Sequence, residues 1–198
     1  MMNLMAICAA IQLPPRNVCE VGVNEPDKCS FAWCANWQNV NTILVEPLPW
    51  CADHLRKAFP KATVIEAACG PENGTTRLFD RGEGSWIEQV PEGGAPDEHK
   101  NHSDIKREDF RPEHVRETRV VRFADIDSGN LDILCVDIEG AEWFVIEQMK
   151  SRPRLVRVET HFSHSGYQNP NFDRIMNRMA VLGYKILMQD VSDTLWIL

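Results

Sequence analysis

The sequence predicts an α/β fold: a mostly parallel, doubly wound sheet with helices on both faces. Three observations predict it. Strand-like and helix-like segments alternate from the start of the chain, the pattern of parallel strands joined by crossover helices. The runs Thr42–Val45 and Leu131–Val136 are short and continuously apolar, as expected of strands buried on both faces. Both run straight into a carboxylate, Glu46 and Asp137, and in an open parallel sheet the strand ends are where ligands bind.

Taken in order, Asn17–Gly22 is a β-prone run closed by glycine, and Asp27–Trp37 places Phe31, Cys34 and Ala35 at helical spacing. Thr42–Val45 is the second strand. Trp50–Phe59 reads as a helix with Leu55, Ala58 and Phe59 on its apolar side, ended by Pro60. Ala62–Ala67 is strand-like, and Asn73-Gly74 signals a turn between Ile65–Cys69 and Thr75–Phe79. From Asp80 to Glu117 glycine, proline and charge dominate, which predicts a long loop or lid insertion at about 80–117 within one domain spanning 1–198. Strands are then expected at Thr118–Phe123, Leu131–Val136 and Leu155–Glu159, with a helix at Ala141–Met149. Asn171–Leu182 carries Phe172, Ile175, Met176, Met179 and Leu182 at helical spacing and stops at Gly183. Tyr184–Met188 and Thr194–Leu198 are expected to pair as a hairpin around Asp190–Asp193.

Composition narrows the class of partner. The chain has 198 residues and a net charge of −8, which disfavours nucleic acid and anionic membranes as partners. No apolar run approaches the roughly 20 residues of a membrane span, and Met1–Leu13 lacks the basic start of a signal peptide. The seven cysteines are odd in number and contain no C-x-x-C, so reduced, mostly buried thiols and a cytoplasmic location are expected.

The chemistry-bearing residues cluster at predicted strand ends. Glu20-Val-Gly22-Val-Asn24 closes the first strand, and Glu46-Pro47 closes the second, roughly 20 residues further on, where an acid can accept both hydroxyls of a ribose. The glycine spacing is not G-x-G-x-x-G, so a pyrophosphate cradle is poorly supported. Asp137-Ile-Glu139-Gly140-Ala141-Glu142 gathers three carboxylates where a buried strand meets a helix. Capping of that helix is the competing reading of Glu139 and Glu142. Glu159-Thr-His161 follows the fifth strand; its spacing, like that of His99 and His102, is no zinc signature, and no metal site is expected. Trp86 and Trp143 suit a pocket wall or core packing equally.

These motifs, in this order over about residues 17–198, resemble the FkbM-type S-adenosylmethionine-dependent methyltransferases. Asp137-Ile-Glu139-Gly140-Ala141-Glu142 resembles their D-x-E-G-A-E signature, Glu20-Val-Gly22-Val-Asn24 their first motif, Val45-Glu46-Pro47 their E-P, and Ala67-Ala68-Cys69-Gly70 their A-x-G turn. Glu159-Thr-His161 resembles their E-x-H. The chain departs from the first motif in having Pro26 where a second glycine is usual, and Glu20 where Asp is commoner.

The resemblance implies a Rossmann-like class I methyltransferase fold with a seven-stranded sheet in the order 3-2-1-4-5-7-6, its last strand antiparallel. It implies S-adenosylmethionine as cofactor and methyl transfer to a hydroxyl oxygen of a small molecule or sugar. Glu20, Gly22 and Asn24 would hold the methionine part, Glu46 with Pro47 the ribose, and Glu66 with Ala67 the adenine. Asp137 would lie near the sulfonium, and His161 with Glu159 would be the base or acceptor-positioning group. Two other readings stay open: a non-catalytic scaffold on the same fold, and a nicotinamide-dependent oxidoreductase. The sequence is compatible with a homo-oligomer and identifies no acceptor.

Overall fold

The computed structural model describes residues 3–81, 84–90, 111–161 and 169–198. Its centre is a seven-stranded sheet. Strands β1 (Asn17–Val21), β2 (Asn41–Val45) and β3 (Thr63–Ile65) are parallel to one another, and β1 also pairs in parallel with β8 (Ile133–Val136). β9 (Leu155–Glu159) continues the parallel array beside β8. The hairpin β10 (Lys185–Gln189) and β11 (Asp193–Ile197) closes the edge, with β11 antiparallel to both β10 and β9. Numbered within this sheet alone, the order is the expected 3-2-1-4-5-7-6, and the final strand is the antiparallel one.

Helices cover both faces because each strand buries side chains alternately on two sides. One face packs Cys19, Val21, Leu134 and Val136 against α3 (Phe123–Ile126), α4 (Glu142–Gln148) and α5 (Phe172–Val181), through Phe123, Val145, Ile146, Ile175 and Met179. The other packs Val18, Leu44 and Ile133 against α1 (Leu4–Ala10) and α2 (Pro49–Ala58), through Leu4, Cys8 and Leu55. α2 begins with proline at its first turn, carries Arg56 and Lys57 in its last, and ends before Pro60, each favourable to that end of a helix. α5 ends where Gly183 adopts φ +84°. The seven cysteines are buried and free. Among the described residues no helix is long and apolar enough to cross a membrane.

Two local expectations are corrected. Residues 27–37 form successive turns instead of a helix, although Phe31, Cys34 and Ala35 are buried as their spacing suggested. Short turns such as Cys34 N–H to the Phe31 carbonyl and Trp37 N–H to the Cys34 carbonyl, both 2.9 Å, replace a continuous helical ladder, while the buried Glu20 carboxylate fastens the segment by accepting the Ser30 amide at 2.9 Å and the Cys29 thiol at 3.3 Å. The chain bends at 71–73, as the Asn73-Gly74 signal suggested, and the strands on either side do not pair with each other. β4 (Ala68–Cys69) and β5 (Gly74–Phe79) are separated by β7 (Val115–Val121), parallel to the first and antiparallel to the second. With β6 (Trp86–Ile87) they form a second, four-stranded sheet ordered β4-β7-β5-β6. Both ends of the expected 80–117 loop are therefore regular structure; residues 82–83 and 91–110, including His99 and His102, lie outside the described residues.

Candidate active site

The parallel strands bring the ends of β1, β2 and β8 to one edge of the large sheet, and the small sheet stands against that edge. Between them lies a cleft open to solvent. Its sheet-edge side is formed by Gly22, Asn24, Glu46, Pro47, Asp137 and Glu139. Its opposite wall is apolar: Ala67, Ala68, Cys69, Leu78, Trp86 and Ile87. Trp86 stacks on Phe79 with ring centroids 5.6 Å apart and is 3% exposed, so it both packs the small core and faces the cleft.

Glycine at 22 is required twice over. Its φ is +82°, and a Cβ there would stand 1.7 Å from the Asp137 carbonyl oxygen. The chain leaving β1 thus presses against the chain leaving β8, fixed further by the Asp137 amide donating to the Val21 carbonyl at 2.9 Å. Beyond the turn, Asn24 takes the left-handed region at φ 59°, and its amide donates to Glu46 Oε2 at 2.7 Å. The Leu48 amide donates to Glu46 Oε1 at 2.9 Å. Each carboxylate oxygen is thereby oriented by one amide and keeps further acceptor capacity. Burial pushes the Glu46 carboxyl up to about 7 despite the opposing pull of these amides.

The Asp137–Glu142 turn is organised from inside. Glu142, fully buried, accepts the amides of Ile138 at 3.0 Å and Gly140 at 3.1 Å, and the Asn169 side-chain amide at 2.5 Å. It therefore shapes the turn, the structural reading its position allowed. Between the two clamped amides sits Glu139 at φ 55°, a conformation a non-glycine residue adopts only when its surroundings enforce it.

Beyond the cleft the acids converge. Asp137 and Glu159 stand close enough to perturb one another's ionisation, and Glu159 Oε2 lies 3.1 Å from His161 Nε2. One donor atom each from Glu139, Glu159 and His161 lies within 4.8 Å of the other two. His161 adopts φ 45° and its amide donates to the Ser192 carbonyl at 2.8 Å. Burial, then the charge of Glu159, holds Asp137 well above the usual carboxylate range, although part of its side chain reaches the cleft. Burial and the charges of Glu159 and Asp137 do the same to Glu139, and burial raises Glu159 to about 8. The neighbouring guanidinium, Arg157, stands 4.0 Å from Asp137 but 2.9 Å from Asp193, and also donates to Ser30 Oγ.

Of the residues expected to bind a cofactor, the cleft gathers Gly22, Asn24, Glu46, Pro47, Ala67 and Asp137. Glu20 and Glu66 stand elsewhere. Glu20 lies on the opposite face of β1 from Val21 and fastens the turns after it. Glu66 is an exposed partner of Arg56 at 3.0 Å. Glu159 and His161 adjoin the cleft through Asp137 and Glu139. Sequence reasoning missed the apolar wall of Leu78 and Ile87, which the strand-like Thr75–Phe79 hinted at, and Ile87 carried no signal.

The fold and its cleft define a class I methyltransferase architecture. The chain belongs to the FkbM methyltransferase domain family, whose model matches residues 20–186. No protein of curated function matches it. Among solved structures it is similar to cofactor-bound Rv0187 from MTB, with TM-score 0.51 and 12% identity over 97% of this chain and 76% of that one. It is similar also to the methyltransferase domain of bacterial CtHen1-CN, with TM-score 0.50 and 8% identity over 98% and 95% of the two chains.

Proposed function

We propose that this protein is an S-adenosylmethionine-dependent methyltransferase acting on a hydroxyl oxygen of a small molecule or sugar. The observation that carries the reading is the arrangement of one cleft inside an FkbM domain. A carboxylate oriented by two amides, Glu46, faces an apolar wall, while Asp137 and Glu139 stand on the same edge. These residues fit a nucleoside with a cationic tail. Glu46 has acceptor capacity for ribose hydroxyls, Ala67, Ala68, Trp86 and Ile87 suit a flat apolar base, and Asp137 supplies negative charge. Rv0187 in its cofactor-bound structure shares the fold.

The cofactor, when bound, supplies a methyl carbon carrying an excellent leaving group, so alignment of the acceptor governs the rate. Gly22 lets the backbone after β1 approach the methionine part, and Asn24 holds Glu46 in register. Asp137 attracts the positive end of the ligand. His161 and Glu159, tied to Asp137, position the acceptor at the far end of the cleft. Glu20 acts indirectly, by fastening the segment that follows β1, and Glu66 stays outside the cleft, paired with Arg56.

Calorimetric titration with S-adenosylhomocysteine tests the cofactor assignment, and transfer of a labelled methyl group to a panel of sugar and small-molecule alcohols tests the reaction. Well-folded protein that binds neither S-adenosylmethionine nor S-adenosylhomocysteine would sink the proposal.

A further inference from the structure

Glu139, Glu159 and His161 come from two separate strand ends, the turn after β8 and the tip of β9, yet their donor atoms converge within 4.8 Å. Two observations point to a missing partner. Glu139 Oε2 is sealed from solvent and accepts no hydrogen bond from the described residues, and a buried carboxylate oxygen left so is costly. Asp137, Glu139, Glu142 and Glu159 also stand close together with Arg157 beside them, whose closest carboxylate is Asp193. Arg81 also acts on Glu139, and burial with mutual repulsion disfavours ionisation of these carboxyls, a penalty that a bound cation would relieve.

We infer that Glu139, Glu159 and His161 form a binding site for one divalent metal ion at the edge of the cleft. Two carboxylates and one imidazole are a mixed oxygen and nitrogen set, which suits Mn²⁺ or Mg²⁺ better than a thiolate-seeking ion. An octahedral ion with bonds near 2.1 Å holds donors about 3.0 Å apart when adjacent and about 4.2 Å apart when opposite. The 3.1 Å between His161 Nε2 and Glu159 Oε2 matches an adjacent pair, and Glu139, whose donor lies within 4.8 Å of both, would move closer on binding the ion. Glu142 holds the turn carrying Glu139, and the Ser192 carbonyl holds the backbone of His161, so the ligands sit on a supported frame. Glu139 also lines the cleft. Open coordination positions of the ion therefore face it, where they would hold an acceptor oxygen; that last role rests on the methyltransferase reading, whereas the metal site itself does not.

The test is Mn²⁺ titration of the full chain, followed by electron paramagnetic resonance, with and without S-adenosylhomocysteine. One bound Mn²⁺ per chain is expected, with a nitrogen hyperfine coupling from imidazole in the pulsed spectrum. Glu139→Gln and Glu159→Gln should each weaken binding at least about tenfold, and His161→Asn should erase the nitrogen coupling. Glu113→Gln, at an exposed acid of the 3-10 turn, should change nothing. No bound Mn²⁺, or no nitrogen coupling in the unmodified protein, overturns the site. Unaltered Mn²⁺ affinity in Glu139→Gln overturns it too. Mn²⁺ binding without S-adenosylhomocysteine binding would remove the cofactor assignment and leave the metal site standing, and the reverse result would do the opposite.

Discussion

The side-chain carboxylate of Glu46 accepts the backbone amide of Asn24 at 2.7 Å. This joins the turn after the first strand to the tip of the second, so the two motifs are one unit. Glu46→Ala removes both the ribose acceptor and the partner of two amides. S-adenosylhomocysteine affinity should fall by about 10- to 100-fold, since hydrogen bonds to a charged group are worth about 1.5–3 kcal/mol. Calorimetry on protein with an intact thermal transition checks it; unchanged affinity would exclude Glu46 from the cofactor site.

Binding should depend on pH near neutrality. The Glu46 carboxyl sits at about 7 in the folded chain against an ordinary 4.5. If the ligand hydroxyls favour the ionised form, affinity at pH 6 should be about tenfold below that at pH 8, read by titration at both values.

Stability should move the other way. A carboxyl raised on folding binds more protons in the native state between 4.5 and about 7, so its contribution is present in full below 4.5 and is lost as pH rises through 7. For Glu46, 4% exposed, this amounts to about 3 kcal/mol. Denaturant midpoints of Glu46→Gln should therefore fall less between pH 5 and pH 8 than those of the parent protein. Parallel profiles would show that Glu46 does not carry the effect.

Gly22→Ala should destabilise the fold severely, by about 3 kcal/mol or more, because the new Cβ would meet the Asp137 carbonyl in a left-handed backbone. Urea unfolding measures it. A loss below 1 kcal/mol would mean that β1 and β8 separate more easily than their contact suggests.

Glu142→Ala should cost about 2–4 kcal/mol by leaving the amides of Ile138 and Gly140 and the Asn169 side chain unpaired. It should also loosen the turn bearing Glu139. Amide exchange at Ile138 and Gly140 reads this directly, and protection equal to that of the parent chain would count against the clamp.

Much of the site was legible because its residues sit in local patterns. Gly22, Glu46 and Asp137 each close a short apolar run, and such runs end at one edge of a parallel sheet. The small sheet was far less legible. β6 has two residues, Trp86 and Ile87, within a glycine- and charge-rich stretch, and its pairing with β5 depends on contacts remote in sequence. Residues 27–37 misled because spacing reports burial, and successive turns bury Phe31, Cys34 and Ala35 as a helix would.

By itself the sequence determined the alternation of strands and helices and the placing of acids at strand ends, since apolar periodicity and carboxylates at run ends are local properties; the strand order followed from the resemblance of their ordered set to one family. Which acids face the cleft was decided only by the tertiary structure. Alternation along β1 turns Glu20 away, Arg56 draws off Glu66, and Glu142 is consumed by the turn it caps. The meeting of Glu139 with Glu159 and His161 is likewise tertiary. It arises because β8 and β9 lie side by side in parallel, which brings the residues that follow them to a common edge.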